Sequence, residues 1–321
     1  MSNFNSLKKW LKLENDNLRM YKKDSRGIYS TKDIKKDDII IRIPSKYIIE
    51  FSKIDNNKLS SMLYNKNSYV ATYLLLKAQK DTTFWKTYLE SMPKTLNEYI
   101  YFYSKTKLAL LKHTTMMSNG VYNFKNHMKN IVTDSKIIYK WLLQKNLLPE
   151  KCNNYKTFFP MFLYFRILVC SRIFGYSKKN KDEIGMVPYA DLFNHSENPN
   201  THWYFDDKLD SFIVKSTCDI KKNSEIYDSY GAKTNNELMM YYGFTIKNNI
   251  NSNLSVSHNN SVYEFDHNSD KISDNHESLK NKLKKILQSH LHNSKKKEHV
   301  DNNILNIYND EITIINKILG K

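Results

Sequence analysis

Glycine and proline are scarce in this chain, seven and six in 321 residues, which excludes collagen-like and mucin-like architectures. Cysteine is scarcer still. Cys152, Cys170 and Cys218 stand far apart without a Cys-x-x-Cys pair, so neither a disulfide framework nor a clustered thiolate zinc site is expected. Reduced thiols and no metal site follow. No run approaches the roughly 20 apolar residues needed to cross a bilayer, and the opening MSNFNSLKKW is polar where a signal peptide needs an apolar core. The composition therefore predicts a soluble intracellular protein, cytoplasmic or nuclear, without a membrane partner. Acidic residues are also in deficit, 33 against 50 Lys and Arg, for a net charge of +17.

What is present suffices for a fold. Forty per cent hydrophobic and 13% aromatic residues supply a sizeable core despite a mean hydropathy of -0.65, enough for one large globular unit or two smaller ones. Residues 246–321 carry 11 Lys against 9 acidic residues, so nearly all the positive surplus lies before them. Such a field steers an acidic partner, protein or nucleic acid, although Lys and Asn recur in nearly every loop and give the charge a plainer origin in composition. No recognition helix, zinc finger or RNA motif accompanies it, so net charge alone indicates no nucleic acid. A monomer is expected.

Along the chain, the spacing predicts a helix over Phe4 to Leu13. Extended segments follow at Ser25 to Ile34 and Ile39 to Ile43, the latter stopped by Pro44. Helical spacing of Val70, Tyr73, Leu74, Lys77 and Ala78, then of Phe84, Trp85, Tyr88 and Leu89, predicts two helices split by Asp81-Thr82-Thr83. From Lys94 to Lys181 no strand alternation is visible, and an all-helical block is expected, with helices over Phe124 to Leu148 and Phe159 to Phe174. Strand signals return at Met186 to Pro188, Thr201 to Phe205, Phe212 to Val214 and Glu225 to Tyr230. Beyond Phe244 the chain turns rich in Asn, Ser and Lys, with a weak strand at Val262 to Phe265. An amphipathic helix through Leu279, Leu283, Ile286, Leu287 and Leu291 and a final helix over Ile304 to Leu319 complete it. The resulting division is 1–93, a helical insert 94–185, 186–245, and a short helical C-terminal region 246–321. The fold class is α+β.

Two short segments carry chemistry. In Asp191-Leu192-Phe193-Asn194-His195-Ser196-Glu197-Asn198-Pro199-Asn200, Asn194 and His195 offer side-chain donors and acceptors on an irregular backbone held by Pro199. In Ser224-Glu225-Ile226-Tyr227-Asp228-Ser229-Tyr230-Gly231, a Tyr-Gly pair at a strand end places a phenol at a turn. Each is weak alone: an Asn-His pair in an Asn-rich chain is commonly a turn, and 23 tyrosines make one Tyr-Gly cheap.

Their order is more specific. SRGIYSTKDIKKDDIIIRIP, then NHSENPN, then SEIYDSYG resembles the SET-domain protein methyltransferases, whose two motifs thread into a pseudoknot. FWKTYLESMP, the helical insert and NNELMMYYGF narrow the resemblance to the class of the Rubisco large-subunit and actin-histidine methyltransferases, which lacks post-SET zinc cysteines. It covers about residues 20–245 and implies a SET β-fold, S-adenosylmethionine as cofactor and a protein substrate.

Carried over by motif, Arg26 and Gly27 would contact the cofactor backbone-first, with Ser25 standing where the family often has Gly. Arg172, in an apolar segment expected to be helical, would pair with the cofactor carboxylate; a guanidinium snorkelling to the surface is the alternative. Asn194 and His195 would bind the cofactor, with Asp191 orienting. Tyr230 would be the catalytic tyrosine and a further cofactor contact, aligning an amine with the sulfonium methyl. Phe174, Tyr242 and Phe244 are candidate walls of an apolar substrate channel, with ordinary core packing as the alternative. That apolar wall favours lysine as acceptor; a histidine acceptor, or an inactive SET-shaped module binding an acidic partner, are the rival readings. Lys77 stands near where the family commonly has a cofactor-contacting Glu, and only 76 residues follow Thr245, where the family places a helical substrate-binding domain. Both departures bear on the inactive module. Lys295-Lys296-Lys297 is too short to count as a nuclear address.

Overall fold

The computed structural model describes residues 2–13, 17–22, 26–55, 58–80, 84–118, 123–296 and 300–321. Ser25, Asp81-Thr82-Thr83 and Lys297 lie outside them. The first half of the chain forms α1 (Ser2–Leu11), β1 (Leu18–Lys22), β2 (Arg26–Ser30), β3 (Ile39–Pro44), β4 (Ile49–Glu50), α2 (Phe51–Ile54), α3 (Lys66–Ala78), α4 (Lys86–Ser91), α5 (Lys105–Leu110), α6 (Phe124–Gln144) and α7 (Tyr155–Cys170). The second half forms β5 (Ile173–Lys178), β6 (Lys181–Met186), β7 (Asn194–His195), β8 (Thr201–Asp206), β9 (Ser211–Ser216), β10 (Tyr227–Asp228), α8 (Asn235–Tyr242), β11 (Asn253–His258), β12 (Ser261–Asp266), α9 (Glu277–Asn293) and α10 (Asn302–Leu319). Two compact units divide them: Met1–Lys94 with Ile131–Gly231, and Thr95–Asn130 with Ala232–Lys321. Helix α6 runs through the division.

In the first unit, the β-branched run of β3 buries Ile40, Ile41 and Ile43 and pairs antiparallel with β9, which pairs in turn with β8. A second antiparallel sheet has the order β4-β6-β5, and β1 pairs with β2. Helix α1 buries Phe4, Leu7 and Leu11 at helical spacing. Helix α3 packs on α7, burying Val70, Leu74 and Leu75 and Phe158, Phe162 and Leu163. Lys77 falls in the last turn of α3, where the helix dipole favours a cation, with its ammonium 5.0 Å from the Tyr73 ring centroid.

Three sequence expectations shift here. The helical block ends at Cys170, and β5 and β6 follow as a hairpin within the stretch expected to be all helical. Phe174 is therefore on a strand and Arg172 in the turn before it. The hairpin closes on Lys179 and Asn180, both at positive φ (50° and 59°), a two-residue primed turn. A lysine there does not announce such a turn, and two lysine-rich strand ends disguise it. The strand expected over Glu225 to Tyr230 shrinks to Tyr227–Asp228.

The second unit is built from α5, α8, the β11–β12 hairpin, α9 and α10. Leu279, Leu283, Ile286 and Leu287 of α9 meet Ile314, Ile315 and Ile318 of α10 and Leu254 and Val256 of β11. Strand β11 escaped the sequence reading although Asn259-Asn260, both at positive φ, is a turn of the type Asn favours. Helix α8 carries a capping box, Thr234 with Glu237, and ends at Gly243, whose φ of +78° and packing against the Tyr99 ring both require glycine.

Candidate functional site

The site grows from a crossing of two segments in the first unit. Strands β7 and β10 pair in parallel, Asn194 with Tyr227 and His195 with Asp228. Beyond the strand ends, Ser196 N–H donates to the Asp228 carbonyl (2.9 Å). The Asn200 side chain substitutes for backbone: its amide donates to the Glu225 carbonyl and its oxygen accepts Tyr227 N–H, both at 2.8 Å. The Asn-rich loop is thus an extension of the ladder.

Strand β2 is tied to this crossing by side chains. Asn194 Nδ2 donates to the Arg26 carbonyl (2.7 Å) and to Glu225 Oε1 (2.8 Å), so its amide protons hold the Arg26–Gly27 strand in place. Glu225 also accepts the phenols of Tyr29 and Tyr227 on Oε2, each at 2.8 Å. Burial and the Glu225 hydrogen bond push the Tyr227 phenol up to about 12. A Cβ on Gly27 would lie 2.2 Å from Glu225 Oε1, and Glu225 cannot yield without breaking those three bonds. A side chain at residue 27 would therefore disrupt this network. Glu225 belongs to the quoted motif, and its role is set by partners nearly two hundred residues away.

The second cluster surrounds Asp191, whose side chain is fully buried. Arg172 Nη1 donates to its carbonyl (2.9 Å) and to Oδ2 (3.2 Å), and the Tyr88 phenol donates to Oδ2 (2.8 Å). Arg172 is turned inward rather than snorkelling, with 13% of its side chain exposed. Asp191 Oδ1 is buried and has no hydrogen-bond partner. Burial and the neighbouring Arg172 lower the pKa of Arg26, while Asp191 and Tyr230 act on it in the opposite sense. These four groups therefore share one field. Tyr189, just upstream, is fully buried at φ 77°, ψ -48°, a strained turn that begins the short 3₁₀ segment bearing Asp191.

Tyr230 is held at both ends. Its N–H donates to His195 Nδ1 (3.0 Å), its phenol donates to the Phe193 carbonyl (2.8 Å), and its ring stacks on the imidazole at 5.1 Å and 27°. A nitrogen that accepts cannot carry a proton, so His195 is the neutral Nε2–H tautomer; burial lowers its pKa and keeps it so. With its proton spent on Phe193, the phenol oxygen presents lone pairs to whatever lies beyond it. Asp228, buried behind the crossing, has its carboxyl pushed up to about 6 by burial.

The match of a family model completes this geometry: the SET domain, over residues 25–231. The chain is a SET-domain protein. The β7–β10 crossing is the expected SET pairing of its two motifs. It is 25% identical over 232 residues to the Rubisco large subunit N-methyltransferase of Pisum sativum, covering 68% of this SET-domain chain and 45% of that protein. It is 25% identical over 228 residues to the ribosomal lysine N-methyltransferase set10 of Schizosaccharomyces pombe (68% and 39%), and 22% identical over 253 residues to the actin-histidine N-methyltransferase of Homo sapiens (74% and 40%). The chain thus spans less than half the length of these relatives. Among solved structures, the SET domain of LSMT bound to lysine and AdoHcy matches with a TM-score of 0.73 at 17% identity, over 99% of this chain and 90% of that one.

The structure brings Arg26, Gly27 and Asn194 together, and joins Arg172 to Asp191 and His195 to Tyr230. Phe174 packs edge-on against Trp203 (5.3 Å) and Phe212 (5.2 Å) in the first unit. Tyr242 and Phe244 fall in the second unit, with their rings 6.3 Å apart. Tyr88 and the Phe193 carbonyl escaped the sequence reading because their roles depend on partners 103 and 37 residues away.

Proposed function

We propose that this chain transfers a methyl group from S-adenosylmethionine to a lysine side chain of a protein. The observation that carries the reading is Tyr230, its phenol fixed on the Phe193 carbonyl and its backbone on neutral His195. S-adenosylmethionine supplies a methyl already activated on a sulfonium, so the chain's task is alignment and exclusion of water. The Tyr230 phenol, fixed by its donation to the Phe193 carbonyl, orients without competing as a nucleophile. The residues fit such a group: a Cβ on Gly27 would meet Glu225, the Arg172 guanidinium binds the Asp191 carboxylate whose field also acts on Arg26, and Asp191 Oδ1 is a buried acceptor awaiting a donor. Arg172 and Arg26 would hold its carboxylate, Asp191 its ammonium, and Asn194 and His195 the surrounding backbone.

The aromatic packing of Phe174 supports lysine, because an apolar wall lowers the pKa of an amine and delivers it neutral. Segments 1–93 and 186–245, with Arg172 from the stretch between them, would form the methyl-transferring part, and 246–321 would bear on substrate choice.

Calorimetric titration with S-adenosylhomocysteine, followed by methylation of lysine-bearing proteins, tests the reading. Tyr230→Phe should lower turnover by about a hundredfold while affinity for S-adenosylhomocysteine holds. Arg172→Lys should weaken that affinity by about tenfold, since an ammonium cannot reproduce the guanidinium's paired donors. No binding by the wild type would overturn the proposal. Methylation of histidine but not lysine would move the acceptor to the one named for the actin-histidine relatives.

A further inference from the structure

The second unit holds a cleft of about 230 Å³ between the turn after α5, strand β11 and helix α9. Its charged lining is Lys112 and Lys282, joined by His113, with no acidic residue among the lining side chains. The Lys282 ammonium donates to the Ser257 carbonyl, which fixes the charge on the wall of the cleft instead of leaving it to sweep through solvent. His113 reports the local field. After burial, the groups that depress its pKa include the Lys112 and Lys282 ammoniums. The carboxylates on neighbouring elements are engaged: Glu264 accepts from the hydroxyl of the lining Ser255 (2.7 Å), and Glu311 from Thr115 N–H (2.8 Å) and His290 (2.7 Å). Met117, Val256 and Ile286 supply an apolar side to the same cleft.

We propose that this cleft binds a phosphate monoester. The two lysine ammoniums exceed what one carboxylate balances and match the charge of about -1.5 to -2 that such a group carries near neutrality, with neutral His113 as a further hydrogen-bonding group. Lys112 and Lys282 act as point charges, and the apolar side accommodates the carbon skeleton that bears the phosphate. The site lies in the second unit, among residues distinct from the cluster assigned to methyl transfer, and does not rest on that assignment.

The test is calorimetric titration of the full chain at low ionic strength, once with inorganic phosphate and once with a short phosphoserine peptide. Saturable binding that weakens at least tenfold in both Lys112→Ala and Lys282→Ala is expected. Titration with S-adenosylhomocysteine should be unchanged in Lys112→Ala, whose side chain is exposed and whose loss leaves the fold intact. Tighter binding of the peptide than of phosphate would assign the cleft to a phosphorylated protein, and the reverse to a small phosphorylated molecule. Failure of both probes to saturate, or binding indifferent to both substitutions, would overturn the proposal.

Discussion

The α9–α10 core of the second unit and the β7–β10 crossing of the first are stabilised by opposite means. In the former, apolar side chains at helical spacing meet across a helix pair, and any residue of similar volume would serve. In the latter, hydrogen bonds between specific atoms of segments far apart in the chain hold a glycine, a carboxylate and two phenols in one arrangement. One region tolerates variation, and the other concentrates directional requirements where chemistry is to be done.

That contrast can be broken by substitution. The largest expected effect is Leu283→Ala, which empties a fully buried position in the α9–α10 core and should cost about 3 kcal/mol of stability. Chemical denaturation would show it, and S-adenosylhomocysteine affinity should survive; a comparable loss of affinity would mean the two regions are not separable. Gly27→Ala should do the reverse. Its Cβ displaces Glu225, and ligand affinity should fall about a hundredfold, or about 2.7 kcal/mol, with a smaller change in melting temperature.

Asp228→Asn sharpens the comparison through pH. Because the folded pKa of about 6 lies above the ordinary carboxylate value of 3.8, the native state binds the extra proton between them, and stability falls as pH rises through that window. Removing the charge should stabilise the protein by about 2 kcal/mol at pH 7 and by almost nothing at pH 4, read from denaturation at both values. A gain equal at the two pH values would point to packing instead. The smallest effect belongs to Thr234→Ala, which deletes the capping box of α8 at about 1 kcal/mol, independent of pH near neutrality.

Legibility in the sequence follows the same division. Helices α9 and α10 of the second unit were readable from spacing, as were β3, β8 and β9, because a buried face repeats with the period of its element. The hairpins β5–β6 and β11–β12 were not, since their evidence lay in two-residue turns, Lys179-Asn180 and Asn259-Asn260, lost among many similar Asn and Lys loops. At the site, motif order pointed to Arg26, Gly27, Asn194, His195 and Tyr230, while the roles of Glu225, Tyr88 and Asp228 could not be read. Each acts through a contact that spans tens to nearly two hundred residues.

By itself the sequence determined the α+β class, the cationic composition, the order of the two motifs and the helical periods, all properties of residue type and local spacing. Tertiary structure alone decided that Arg172 turns inward to Asp191, that the amide of Asn194 is spent on strand β2, and that Lys112, His113 and Lys282 converge. Those outcomes depend on which distant groups share a low-dielectric interior, where an unpaired charge is costly and an unmade hydrogen bond is felt in full.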